Sequence, residues 1–206
     1  MSENHLVIIG LGNPGKRYEM TRHNIGYLLA QAFAHIHGWH FKDEKRLQVQ
    51  VAKGKVGDTT VHLVLPTTYM NESGLAAQKY LSYYKLTPND VLVVTDDVAL
   101  PFEEMRLREQ GSAGGHNGLR SLIQHFGTTQ FPRLRLGVGR GKPQQELADY
   151  VLEPFSSREM AKIKDFIEKG VDVVKRLLTQ DITSVMNEVN QKLKEEKSDE
   201  RKTESL

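Results

Sequence analysis

The chain has 206 residues, 38% of them hydrophobic, a formal net charge of +2 and no cysteine. That length buries one core well and is marginal for two. Without cysteine there is neither a disulfide framework nor a thiolate nucleophile, and no apolar run approaches the roughly 18 residues of a membrane span.

In chain order, His5 to Ile9 reads as a short buried strand ending in glycines. No basic n-region or signal-peptide core precedes it, so a cytoplasmic location is expected. Asn24 to His37 places Ile25, Leu28, Leu29, Ala32, Phe33 and Ile36 on one helical stripe, stopped by Gly38. Leu47–Lys53 and Thr59–Leu65 flank Gly54-Lys-Val-Gly57-Asp and predict a hairpin with a longer loop. Asn71 stands where it caps a helix running to about Tyr84. Asp90–Thr95 is continuously apolar, as in a sheet covered on both faces.

Met105–Glu109 alternates as a strand, and Leu119, Leu122, Ile123 and Phe126 mark one face of a further helix. Arg133–Gly139 predicts a strand with one charged and one buried side. Ser157–Thr179 and Asp181 to about Glu196 predict two last helices. Strands alternating with helices, plus one hairpin, give an α/β fold: a single domain over residues 1–193, with a twisted mixed sheet flanked by helices on both faces. Residues 194–206 form a mixed-charge tail expected to be disordered.

Charge is uneven along the chain. Pro101–Lys142 holds seven basic residues (Arg106, Arg108, Arg120, Arg133, Arg135, Arg140, Lys142) against three acidic ones, so this stretch is +4 and the remainder −2. Such a region is either a footprint for a polyanion or a solvated face.

Four short segments place an Asn or His beside small residues: Gly10-Leu-Gly-Asn13-Pro-Gly15, Thr21-Arg-His23-Asn24, Thr68-Tyr-Met-Asn71-Glu-Ser-Gly74 and Gly114-Gly-His116-Asn117-Gly118. Three of them follow strand-like runs, and strand ends are where open α/β sheets build sites. Carboxamides and imidazoles without thiols suit proton transfer and carbonyl polarisation, which points to hydrolysis. The first segment also matches G-x-G-x-x-G. A dinucleotide site is rejected because Pro14 removes a donor, helical periodicity starts only near Asn24, and the second strand ends Val51-Ala-Lys53 without its acidic residue.

Six motifs in order carry a resemblance over about Leu6 to Met186. They are Gly10-Leu-Gly-Asn-Pro-Gly15, Tyr18-x-x-Thr-Arg-His-Asn24, Pro66-Thr-Thr-Tyr-Met-Asn71-x-Ser-Gly74, Asp96-Asp97 before Leu100-Pro101, Gly114-Gly-His-Asn-Gly-Leu119, and Arg133-Leu-Arg-Leu-Gly137. In these the chain resembles the bacterial-type peptidyl-tRNA hydrolase family. The resemblance implies a monomeric, metal- and cofactor-free esterase that releases peptide from peptidyl-tRNA and recycles the tRNA. It implies His23 as base, Asp96 as its partner, and Asn13, Asn71 and Asn117 around the peptide carbonyl and the 3′-terminal adenosine. Tyr18, Tyr69, Met70 and His116 join them in binding substrate, and Arg108 and Arg135 clamp the 5′-phosphate end of the acceptor stem. Three departures from the family pattern are Ala99 in place of an acidic residue, the diluted run Gln110-Gly-Ser-Ala-Gly114, and Arg108 where lysine is common.

On the residues alone, plainer roles stay open. His23 suits a helix entry, Asn71 an N-cap, Asp96 a strand-end turn, and Asn117 a left-handed or capping position. A non-catalytic RNA-binding relative is the rival from another class.

Overall fold

The first apolar run becomes β1 (Asn4–Gly10), the central strand of a seven-stranded sheet in the computed structural model, which describes residues 4–191. The other strands are β2 (Lys42–Glu44), β3 (Val49–Val56), β4 (Thr59–Pro66), β5 (Val91–Asp97), β6 (Met105–Arg108) and β7 (Arg133–Gly137). Their order is β2-β3-β4-β1-β5-β7-β6. Pairings β4–β1, β1–β5 and β5–β7 are parallel, whereas β2–β3, β3–β4 and β6–β7 are antiparallel.

Helices cover both faces, as the alternation predicts. Ile8, Leu92, Val94, Leu134 and Leu136 point to α1 (Ile25–Ile36), α5 (Ser157–Leu177) and the helical residues 182–191. Val7, Ile9, Val91 and Val93 point the other way, to α2 (Ser73–Tyr84) and α3 (Asn117–Phe126). Alternate residues of β1 and β5 thus enter two different cores, which is why both strands read as unbroken apolar runs. A short helix, α4 (Leu147–Leu152), follows β7.

The glycines near the end of β1 serve packing. A Cβ on Gly26 would lie 2.4 Å from the Val94 carbonyl oxygen and 2.6 Å from the Leu11 nitrogen, and one on Gly10 would lie 2.5 Å from the Gly26 carbonyl oxygen. The first turn of α1 therefore rests on the backbone of β1 and β5, and the residues just before it are held at the strand ends. This close approach, with only the single 3-10 turn Lys16–Tyr18 following the glycines and α1 starting at Ile25, replaces the phosphate cradle that G-x-G-x-x-G would signify.

Several expectations need correction. Val56 pairs with Thr59, so the hairpin turns on Gly57-Asp58, with Gly57 at φ 57°, and the longer loop does not form. Gly54 stays inside β3, where a Cβ would come within 2.1 Å of the Trp39 indole. The arginine side of β7 is not a free charged face: Arg133 is only 1% exposed. Its guanidinium donates to the carbonyls of Gly111, Ser112, Thr129 and Phe131. Burial, with help from the neighbouring Arg135 charge, pushes the Arg133 pKa down to about 10. One of the seven basic residues thus serves the fold and not a partner. The final helix is seen over residues 182–191, and its expected remainder and the tail 194–206 lie outside the described residues. Among the described residues no helix is long and apolar enough to cross a membrane.

Gly26→Ala is expected to destabilise by about 3 kcal/mol, since two backbones must part to admit the methyl group. For a chain this size that is a fall of roughly 6–12 °C in Tm by calorimetry. An unchanged Tm would show that α1 lifts freely from the sheet.

Candidate active site

The site lies beyond the carboxyl ends of β1, β4, β5 and β7, with β1 at the switch point between strands added on either side. His23 sits in the single helical turn Arg22–Asn24 that leads into α1, and Asp96 is the penultimate residue of β5. The seating of Gly26 brings these two together: His23 Nδ1 lies 2.9 Å from Asp96 Oδ1. Both are buried, His23 at 7% and Asp96 at 3% exposure. Burial alone works against an imidazolium, but the Asp96 charge and hydrogen bond outweigh it and raise the His23 pKa above the ordinary 6.5. Burial likewise works against a carboxylate at Asp96, yet the imidazoles of His23 and His116 hold it well below the usual range.

His116 is the N-cap of α3. Its Nδ1 accepts from the backbone N–H groups of Gly118 (3.1 Å) and Leu119 (3.2 Å). A nitrogen that accepts carries no proton, so the proton is on Nε2. Nε2 lies 2.8 Å from Asp96 Oδ1 and 2.7 Å from Thr95 Oγ1. One carboxylate oxygen therefore receives two imidazole N–H groups, from rings whose centroids are 4.8 Å apart. The capping role expected of Asn117 belongs to His116. Asn117 is the first helical residue, exposed, and its Oδ1 accepts from Arg120 at 3.2 Å.

Asn13 is held on three sides. Its N–H donates to Asn24 Oδ1 (2.8 Å), its carbonyl accepts from Asn24 Nδ2 (2.9 Å), and its Oδ1 accepts from the Met70 N–H (2.8 Å). Because Met70 N–H can only donate, the amide orientation is determined and Nδ2 is left to face the cleft. Asn71 sits on the turn Met70–Glu72 ahead of α2, exposed. It is not a cap: Glu72 occupies that position and no side chain bonds there.

Asn13, His23, Met70, Asn71, Asp96, His116 and Asn117 line one cleft of about 620 Å³. Tyr18, half-buried, and Tyr69, 56% exposed, stand in its wall, and α4 contributes Leu147, Ala148, Val151 and Leu152. Arg135 also lines the cleft, its Nε 3.1 Å from Asp97 Oδ2 in an ion pair without hydrogen-bond alignment. Arg108 lies outside it. It is exposed on edge strand β6 opposite Arg133, two residues along from the level of Arg135, or roughly 7 Å. His23, Asp96 and His116 offer ligand atoms within 4.8 Å of one another. Asp96 Oδ1, His23 Nδ1 and both ring nitrogens of His116 are engaged in the hydrogen bonds above.

Three residues that shape the site escape a reading for chemistry. Asn24 clamps Asn13, Asp97 pairs with Arg135, and Arg22 braces the turn that carries His23. All three lie inside the motifs quoted above, adjacent to or one turn from a residue given a role, and that adjacency is the only signal the sequence offers.

A buried imidazole–carboxylate pair beside carboxamide side chains marks the class: an α/β protein with a polar cleft at the carboxyl ends of its strands. The peptidyl-tRNA hydrolase family profile matches residues 7–198. The peptidyl-tRNA hydrolase of Chloroflexus aggregans is 44% identical over 185 residues, 89% of this chain and 98% of that one. That of Bacillus subtilis is 42% identical over 189 residues, 91% and 100% respectively. The crystal structure of peptidyl-tRNA hydrolase from Acinetobacter baumannii superposes with a TM-score of 0.85 at 32% identity, covering 92% of this chain and 96% of that one. The chain belongs to the peptidyl-tRNA hydrolase family and is a hydrolase acting on an ester bond.

The electrostatics predict a titration. With Asp96 in place, the His23 ring should titrate above pH 6.5 in its NMR spectrum. Asp96→Asn leaves only the opposing effect of burial, so the midpoint should drop below that value. A midpoint that stays put would mean that Asp96 does not govern the ring.

Proposed function

We propose that the chain hydrolyses the ester between peptide and the 3′-terminal ribose of tRNA, with water activated by His23. The observation that carries this reading is the His23 Nδ1–Asp96 bond, which leaves Nε2 as the ring nitrogen available to a water in the cleft. Water adds its oxygen to the carbonyl carbon and gives its proton to Nε2. The tetrahedral intermediate then collapses, and the imidazolium returns the proton to the departing ribose hydroxyl. Asp96 stabilises the imidazolium and holds the tautomer.

Negative charge develops on the carbonyl oxygen. Asn71, with no side-chain hydrogen bond to the described residues, and Asn13 through Nδ2 are the donors that meet it. Each is worth roughly 3 kcal/mol when preorganised in this way. His116 reaches the reaction through Asp96, while Asn117, Tyr18, Tyr69 and Met70 line the cleft for the terminal nucleotide and the peptide. Arg135 at the cleft and Arg108 beyond it form a track for phosphates of the acceptor stem. Guanidinium forks on phosphate are independent of sequence, which suits an enzyme that accepts many tRNAs.

The test is single-turnover release of an N-acetylaminoacyl group from tRNA. His23→Ala should lower kcat by about 10²–10⁴-fold with KM nearly unchanged, and the wild-type rate should persist in EDTA. Retention of most activity by His23→Ala would remove the base. Arg135→Ala should instead raise KM and flatten its salt dependence by about one phosphate contact. An unaltered salt slope would remove the clamp.

A further inference from the structure

Arg22 immediately precedes His23, yet its side chain turns away from the cleft and is 6% exposed. Its Nε and Nη2 donate to the two carboxylate oxygens of Glu159 in α5, at 3.3 and 2.8 Å. Its Nη1 lies within 3.2–3.4 Å of the carbonyls of Tyr150, Glu153 and Pro154, which close the C-terminal end of α4. The guanidinium also stacks 4.2 Å from the Tyr150 ring. Backbone bonds run parallel to these: Arg22 N–H donates to Glu153 O (3.2 Å) and Phe155 N–H to Met20 O (3.1 Å). The turn that carries His23 is the element against which α4 chiefly packs.

One further bond, from the Tyr150 hydroxyl to the Val138 carbonyl (2.7 Å), ties the same end of α4 to the chain just past β7. Tyr150 and Val151, at the Arg22 end of α4, are buried, while residues 146–149 at the other end are exposed. That exposed end follows a loop in which Gly139 has a φ of 72°. The apolar wall of the cleft, Val151 and Leu152 included, is therefore held from the same turn that holds the imidazole.

We propose that Arg22 is a positioning residue that latches α4 to the His23 turn, so that one buried guanidinium sets both the apolar wall facing the peptide and the place of the base. The latch joins substrate binding to base placement, and in that it rests on the reading of His23 as the base. Arg at this position is specific: a lysine ammonium keeps the charge but cannot meet a carboxylate edge and three carbonyls at once.

The experiment compares wild type with Arg22→Lys and Glu159→Gln, by amide hydrogen exchange and by kinetics on two esters, N-acetylaminoacyl-tRNA and a longer apolar peptidyl-tRNA. Arg22→Lys should speed exchange in residues 147–152 while β1 and β5 keep wild-type protection. It should lower kcat about tenfold on both esters, as expected for a base displaced by a fraction of an ångström. KM should rise for the longer peptide only. Glu159→Gln, which keeps the carbonyl contacts, should show the same pattern in weaker form. Unchanged exchange in residues 147–152 would overturn the latch whatever His23→Ala shows. Faster exchange there with wild-type kcat and KM would overturn its link to the site, as would a uniform loss of protection throughout the chain.

Discussion

A single oxygen atom organises this protein. Asp96 Oδ1, buried at the end of β5, receives an imidazole N–H from the entry of α1 and another from the cap of α3. A buried carboxylate is costly unless its lone pairs are met by donors, and here the donors come from opposite faces of the sheet. The consequences run outward from that atom. The first ring leaves Nε2 free, and the second gives its other nitrogen to two helix N–H groups that would otherwise be orphaned. The close seating of Gly26 on β1 and β5 is what brings the α1 entry within reach of it.

The architecture is legible because β1 and β5 read as unbroken apolar runs and α1 and α3 carry a helical stripe, and because most of the motifs behind the family resemblance fall at strand ends. Elements without a period were not legible. β2 is three charged, exposed residues whose strand conformation comes from pairing with β3, and α4 is too short to show a stripe. The hairpin turn was misplaced because Gly54 resembles a turn residue in sequence, and only the Trp39 ring lying over it explains a glycine inside a strand. Within the site, residue types single out Asn13, His23 and Asn71, the family resemblance adds Asp96, and the geometry places all four in one cleft. The orientation of the Asn13 amide and the two-ring arrangement at Asp96 depend on contacts tens of residues apart, which no local pattern encodes.

Arginine illustrates how far one residue type can diverge within a small fold. Arg133 lies under the 109–116 loop and ties four carbonyls, Arg22 braces a helix end, Arg135 is balanced by Asp97 at the cleft, and Arg108 projects from the edge strand. A count of basic residues treats all four alike. Their availability differs, because the donors of Arg133 and Arg22 are taken up by buried carbonyls and a carboxylate, whereas Arg135 pairs with Asp97 through Nε alone and Arg108 is exposed. The basic surface is therefore narrower than the +4 stretch implies.

The bond between Arg22 and Glu159 spans 137 residues, and that between His23 and Asp96 spans 73. During synthesis the chain is made from its amino terminus onward, so His23 is made before the residues that hold it. Asp96 is added next, and Glu159, which braces the His23 turn, is added later still. Throughout its synthesis the growing polypeptide is itself a peptidyl-tRNA, the very kind of ester its family cleaves. Separating these residues along the chain leaves the His23 turn without its brace until Glu159 has been made.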